Sequence, residues 1–181
     1  MLPFVQTFTD ILSFATLLGG IFGVFLIILL VSPFRQSREG KRIADFLAER
    51  AILFAFAIAF TSVASSLFYS EIAGFAPCVL CWWQRIFLYP QAVILFMALL
   101  KKDCGARKYA LALSGAGFLI ALYHTYIQFG GESLAFCPVG SVSCQILYFV
   151  EYGYVTIPTM SLTAFALIIL LTLFRKREVQ E

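Results

Sequence analysis

The chain reads as an all-α integral membrane protein, a bundle of transmembrane helices, and three observations predict it. Its 181 residues are 61% hydrophobic and only 13% charged, whereas a soluble domain is nearer half apolar and a quarter charged. Five stretches without Asp, Glu, Lys or Arg could cross a bilayer: residues 11–34, 51–70, 86–100, 109–131 and 152–174. None alternates with period two, so helices rather than a closed barrel must satisfy the backbone in lipid.

A spanning helix needs about 20 apolar residues at about 1.5 Å rise each. Four of the stretches meet that length. The third, 86–100, meets it if Trp82 to Arg85 sit at the interface. The first span lacks a basic segment before it and a small-residue cleavage pattern after it, so it is expected to stay as a helix rather than be removed as a signal. Gly19 and Gly23 give it a G-x-x-x-G, which serves either to pack a neighbouring helix or simply as glycine tolerated in a membrane helix. Residues 35–50, RQSREGKRIADFLAER, form a basic connector. Ile43, Phe46 and Leu47 within it suit an interfacial helix or an extension of the second span. The second long connection, about 130–157, has turn signals at Gly130-Gly131 and Pro138-Val139-Gly140. Its ILYFVEYGYV segment is expected at the headgroup level.

Charge sets the expected orientation. The net charge of +3 is uninformative, but its distribution is not. Arg35, Arg38, Lys41, Arg42 and Arg50 fall between the first two spans. Lys101, Lys102, Arg107 and Lys108 fall between the third and fourth, and Arg175, Lys176 and Arg177 follow the fifth. Five crossings put all of these on one side and leave Arg85 as the basic residue of the other. The positive-inside rule then predicts an outside N-terminus and a cytoplasmic C-terminus. Membrane lipid is the expected surrounding and nucleic acid is not an expected partner. Cys78, Cys81, Cys137 and Cys144 would share the oxidising face, with Cys104 on the reducing one as a bystander thiol.

The cysteine pattern carries the chemistry. Cys78 and Cys81 form a C-x-x-C at the start of the third span, where unpaired amides and the helix dipole favour a thiolate. Cys81, nearer the helix proper, is expected to feel this most. Arg85 lies one turn deeper on the same face, able to favour a thiolate or a bound anion, or else to reach lipid phosphate. Cys137 and Cys144 make a second pair close enough in sequence to bridge. Two pairs on one face suggest dithiol–disulfide exchange, which passes two electrons per step. Trp82 after Cys81 excludes a c-type haem attachment, and no dinucleotide fingerprint is present. The remaining acceptor is a lipid-soluble quinone, for which Trp82, Trp83, Phe87 and Tyr89 offer flat apolar surface, unless they are interface-belt aromatics. His124, the sole histidine, suits either proton delivery to such an acceptor or a hydrogen-bonded place in the core. A four-cysteine zinc site would want two tight pairs, so no metal is expected. Disulfide staples without catalysis remain a competing reading.

PCVLCWWQR, then LYHTY, an outer cysteine pair and IPTMSLTAF together resemble the DsbB family of membrane disulfide-forming oxidoreductases, over roughly residues 45–174. The short second spacing resembles the compact BdbC-type members. The resemblance implies a four-helix transmembrane bundle of DsbB type, here with one additional N-terminal transmembrane helix. The expected divisions are an extra helix at 1–34, a connector at 35–50, the bundle at 51–174 and a cytoplasmic tail at 175–181. It implies a bacterial or archaeal cytoplasmic membrane and a DsbA-like thioredoxin-fold partner, with ubiquinone or menaquinone as the quinone. Cys137 would form the mixed disulfide with the partner, Cys144 would bridge to Cys78, and Cys81 would face the quinone. Arg85 and His124 would belong to the quinone site. A vitamin K epoxide reductase-like protein performs similar chemistry, but there the outer pair precedes the C-x-x-C.

Overall fold

The structure, a computed structural model, describes residues 3–33, 37–101, 105–131 and 142–174. Among the described residues five α-helices follow one another: α1 (Pro3–Val31), α2 (Arg38–Leu67), α3 (Val79–Lys101), α4 (Ala106–Gln128) and α5 (Ile157–Leu173). The first four are long and apolar enough to cross a membrane, α2 together with the π-helical turn Phe68–Ile72 that continues it. α5 is apolar throughout its 17 residues, which span about 26 Å at about 1.5 Å each. Among the described residues the one β feature is an isolated bridge between Glu151 and Val155. The all-helical membrane bundle is therefore as the sequence predicts.

Local chemistry bounds α2, α3 and α5. The Ser37 side chain caps α2 by accepting the Gly40 N–H at 3.1 Å. The basic connector thus becomes an extension of α2, one of the two expected outcomes. On α2, Ala44, Ala48, Ala51, Ala55 and Ala59 are buried at helical spacing, and their small size lets neighbours approach closely. Gly74, at φ 71°, turns the chain after the π-helical turn toward α3. α3 begins early enough to include Trp82 to Arg85, which gives the short third stretch its length. Thr156 and Thr159 form a reciprocal capping box at α5, with Pro158 in the first turn.

The core lies among α2, α3, α4 and α5, around the fully buried Leu95, Ala121, Phe165 and Ile168. Gly117 of α4 is required there, because a methyl group would run into the Phe165 ring. Gln91 donates from α3 to the Ala110 carbonyl and Ser114 hydroxyl of α4. Arg107 donates to the Phe174 carbonyl at 3.1 Å and the Ala48 carbonyl at 2.6 Å, tying three elements at one end.

α1 packs along α5. A Cβ at Gly19 or Gly23 would lie 3.2 or 3.5 Å from Leu167, so this G-x-x-x-G is a packing surface. At one end Leu26 and Leu29 of α1 join Ala44, Leu47 and Leu171 in a buried cluster. At the other, Tyr69 Oη lies 3.3 Å from Thr9 Oγ1, and the Phe8 and Phe68 rings are 3.9 Å apart.

Candidate functional site

The C-x-x-C interval is also the interval from a helix N-cap to the third helical residue. Cys78 immediately precedes α3, and its Sγ accepts the Cys81 backbone N–H at 3.4 Å. The two sulfurs are 3.0 Å apart and both thiols are free. The helix N-terminus therefore serves Cys78 rather than Cys81, correcting the expectation from sequence. The hydrogen bond from the Cys81 thiol is the largest cause holding the Cys78 thiol down at about 4. Burial acts in the opposite direction, and His124 adds to the lowering.

His124 stands beside Cys78. Its Nε2 is 3.6 Å from Cys78 Sγ and 3.2 Å from the Cys144 carbonyl oxygen, while Nδ1 is 3.0 Å from Gln84 Nε2. A carbonyl only accepts, so Nε2 carries the hydrogen. The Gln84 amide then donates to Nδ1. His124 and Gln84 are 2% and 5% exposed. The Cys78 and Cys81 sulfurs and a His124 ring nitrogen all lie within 4.8 Å of one another.

Cys144 is in a disulfide and is buried in one cluster with Cys78, Leu80 and Ile127. The C-x-x-C and the segment bearing Cys144 are thus at the same end of the bundle. Stacked rings hold that end together: Phe75 on Tyr148 at 4.3 Å and on Tyr69 at 5.6 Å. The Tyr148 hydroxyl donates to the Ala76 carbonyl at 2.8 Å. Cys137, expected to pair with Cys144, and Cys104 lie outside the described residues.

Below the pair opens a cavity of about 350 Å³ lined by Cys81, Gln84 and Arg85 of α3, by small and aliphatic residues of α1, α2 and α5, and by the Tyr69, Phe75 and Tyr148 rings. Arg85 is fixed against α2: Nε donates to Ser66 Oγ and Nη2 to the Ser66 carbonyl, both at 2.9 Å. The guanidinium carbon is 5.1 Å from the Trp82 ring centroid, within cation–π range. Trp82 is largely exposed, and neither it nor His124 is among the cavity-lining residues. Sequence reasoning missed Gln84, Ser66 and Tyr148. A glutamine within an apolar helix was the available signal for Gln84, since a buried amide needs partners.

The pair thus has two faces. Cys78 meets His124 and the Cys144 segment, whereas Cys81 meets the cavity. A dithiol sharing one thiolate, packed against a disulfide-bonded cysteine within a membrane bundle, is the machinery of a membrane disulfide oxidoreductase. The chain belongs to the DsbB family: the family model for disulfide bond formation protein DsbB matches residues 48–175. It is 47% identical over 116 residues to the SPbeta prophage-derived disulfide bond formation protein B of Bacillus subtilis, covering 64% of this chain and 78% of that one. A probable disulfide formation protein of Oceanobacillus iheyensis is 38% identical over 133 residues, 72% of this chain and 92% of the relative. One from Chlamydia caviae is 40% identical over 124 residues, 68% and 89% of the two chains. No solved structure matches the chain significantly.

Proposed function

We propose that the protein reoxidises a DsbA-like thioredoxin-fold partner and passes the electrons through its two cysteine pairs to a membrane quinone, ubiquinone or menaquinone. The observation that carries this reading is the two-faced placement of the Cys78–Cys81 pair, between the Cys144 segment and the cavity. The bundle would lie in a bacterial or archaeal cytoplasmic membrane with the N-terminus and both pairs outside. Residues 51–174 would be the catalytic bundle, 1–34 an added helix, 35–50 a cytoplasmic connector and 175–181 a cytoplasmic tail.

The cavity suits a quinone on the chemistry of its lining. The Arg85 guanidinium and the Ser66 hydroxyl beside it offer polar contacts to carbonyl oxygens, and most of the remaining wall is apolar or carries hydroxyls already bonded to their own helix. Arg85, Cys81 and Ser66 would hold it, and it would supply an acceptor for two electrons and two protons. The protein's own steps are thiol–disulfide exchanges. A partner thiolate attacks Cys137, the Cys137–Cys144 bond opens, and the partner's second thiol closes its disulfide. Cys137 and Cys144 leave this exchange as thiols. The Cys144 thiolate then opens the Cys78–Cys81 disulfide at Cys78, and Cys137 resolves the mixed disulfide. This gives the state in which Cys78 and Cys81 are free and Cys144 is bonded, the redox combination of this structure. Closing the Cys78–Cys81 bond releases two electrons and two protons to the acceptor. His124 would hold the Cys78 thiolate and steady the Cys144 backbone, and Trp82 would brace Arg85 from the lipid side.

The test mixes purified protein, a reduced DsbA-like protein and ubiquinone-1, then follows quinone absorbance. Wild type and Cys104→Ser should turn over, whereas Cys81→Ser and Cys137→Ser should not. Steady turnover without Cys81 or Cys137 would remove the relay, and disulfide staples would give no turnover in any form.

A further inference from the structure

Helix α1 lies wholly outside the matched family segment, residues 48–175. It nonetheless reaches the cavity below Cys81. Leu12, Ala15, Thr16 and Gly19 line it from one side, opposite Ser62, Ser65 and Ser66 of α2. These α1 positions follow helical spacing and form one face. The geometry also explains why there is space between the two helices. α1 meets α2 through Leu26, Leu29, Ala44 and Leu47 at one end. It meets the π-helical turn through Thr9 and Phe8 at the other. Between these anchors its cavity-facing residues are mostly small, and Thr16 satisfies its own hydroxyl by donating to the Leu12 carbonyl at 2.8 Å. Ser62 and Ser65 of α2 likewise donate to the Ile58 and Thr61 carbonyls, at 2.8 and 2.7 Å, so α1 presents an apolar wall and the polar contacts come from Arg85 and Ser66.

We propose that α1 is part of the acceptor site: its Leu12–Gly19 face encloses the quinone from the side opposite the α2 hydroxyls and so restricts which quinones fit. This rests on the reading that a membrane quinone is the acceptor. The role is steric, since α1 brings no charge and no unsatisfied donor to the cavity. Larger side chains at Ala15 or Thr16 should exclude the quinone without touching the cysteines.

The experiment uses the full chain in detergent with ubiquinone-1, measuring binding by quenching of tryptophan fluorescence. A photoreactive azidoquinone is crosslinked in parallel and its peptide identified. Ala15→Phe and Thr16→Leu should weaken binding about tenfold, because overfilling a packed cavity forces displacement. Exchange between the cysteine pairs and a reduced DsbA-like protein, measured without quinone in a single turnover, should stay unchanged and reports folding. Ile11→Phe, at a position 61% exposed on the lipid side of α1, should bind as wild type does. The azidoquinone should label residues 3–31. If wild type binds ubiquinone-1 while both wall variants bind equally well and the label misses α1, the inference is overturned and the quinone reading stands. If wild type binds none, both are overturned.

Discussion

At Cys78 the backbone and two side chains converge on a single sulfur. The Cys81 thiol, the Cys81 amide and His124 Nε2 all lie where a thiolate would accept from them. The consequence is an acidic thiol, held at about 4 against about 8.5 for a free cysteine. In the dithiol form, thiolate absorbance at 240 nm should persist to mildly acidic pH and disappear as pH falls through about 4. A depressed thiol pKa contributes stability that is fully present above the unfolded value and is lost as pH falls toward the folded one. Acid should therefore erode the stability of the reduced protein more than that of the form with Cys78 oxidised. Cys81→Ala should move the transition upward most and His124→Ala less. An absorbance step near pH 8 in wild type would contradict this. Arg85→Lys should raise the apparent KM for quinone about tenfold, since an ammonium cannot reproduce the paired bonds to Ser66. An unchanged KM would deny Arg85 its place at the cavity. The cysteine pair and Arg85 were legible from spacing. The partner of His124 was not, because Gln84 and Arg85 are sequence neighbours about 100° apart on α3. Gln84 turns to α4 and Arg85 to α2, a division that depends on which helix lies on which side.

Helix by helix, the packing rests on small residues placed where neighbouring backbones must come close. α4 meets α5 at Gly117 over Phe165, and α5 meets α1 at Gly19 and Gly23 over Leu167. The first of these has no slack. Gly117→Ala should destabilise the bundle by about 1–3 kcal/mol, the usual cost of overpacking, read as a lower midpoint of thermal unfolding in detergent. Gly23→Ala meets ordinary contact distances, 3.5 Å to Leu167, and should change the midpoint little. Equal midpoints for the two variants would mean that the Phe165 ring moves aside freely. The helices themselves were readable as uncharged stretches, and their boundaries shifted for local reasons. The capped start at Ser37 extends α2 through the basic connector, and Cys78 acting as the N-cap brings α3 forward to Val79. What the sequence withheld is the pairing, since a G-x-x-x-G marks a close approach without naming the helix approached.

Across the molecule as described, the cysteine pair and most of the basic side chains lie at opposite ends. Cys78, His124 and Cys144 form one end with the stacked rings of Phe75 and Tyr148. Arg107 with the Ala48 and Phe174 carbonyls marks the other, near Lys108 and the basic connector. Under the positive-inside rule the surplus of Lys and Arg at the Arg107 end would make that end cytoplasmic, and the cysteine end would then face the oxidising side. This orientation makes a labelling prediction. In intact cells, a membrane-impermeant maleimide should miss Cys104, which follows Lys101 in the basic segment, and should reach it once the membrane is permeabilised. In a Cys104→Ser background, Thr7→Cys at the exposed start of α1 should be labelled from outside without permeabilisation. Labelling of Cys104 in intact cells would invert the bundle and place the dithiol in the reducing compartment. A disulfide exchange relay that must take electrons from an extracytoplasmic dithiol partner could not then meet it. The two accessibilities therefore test the electron path as well as the topology.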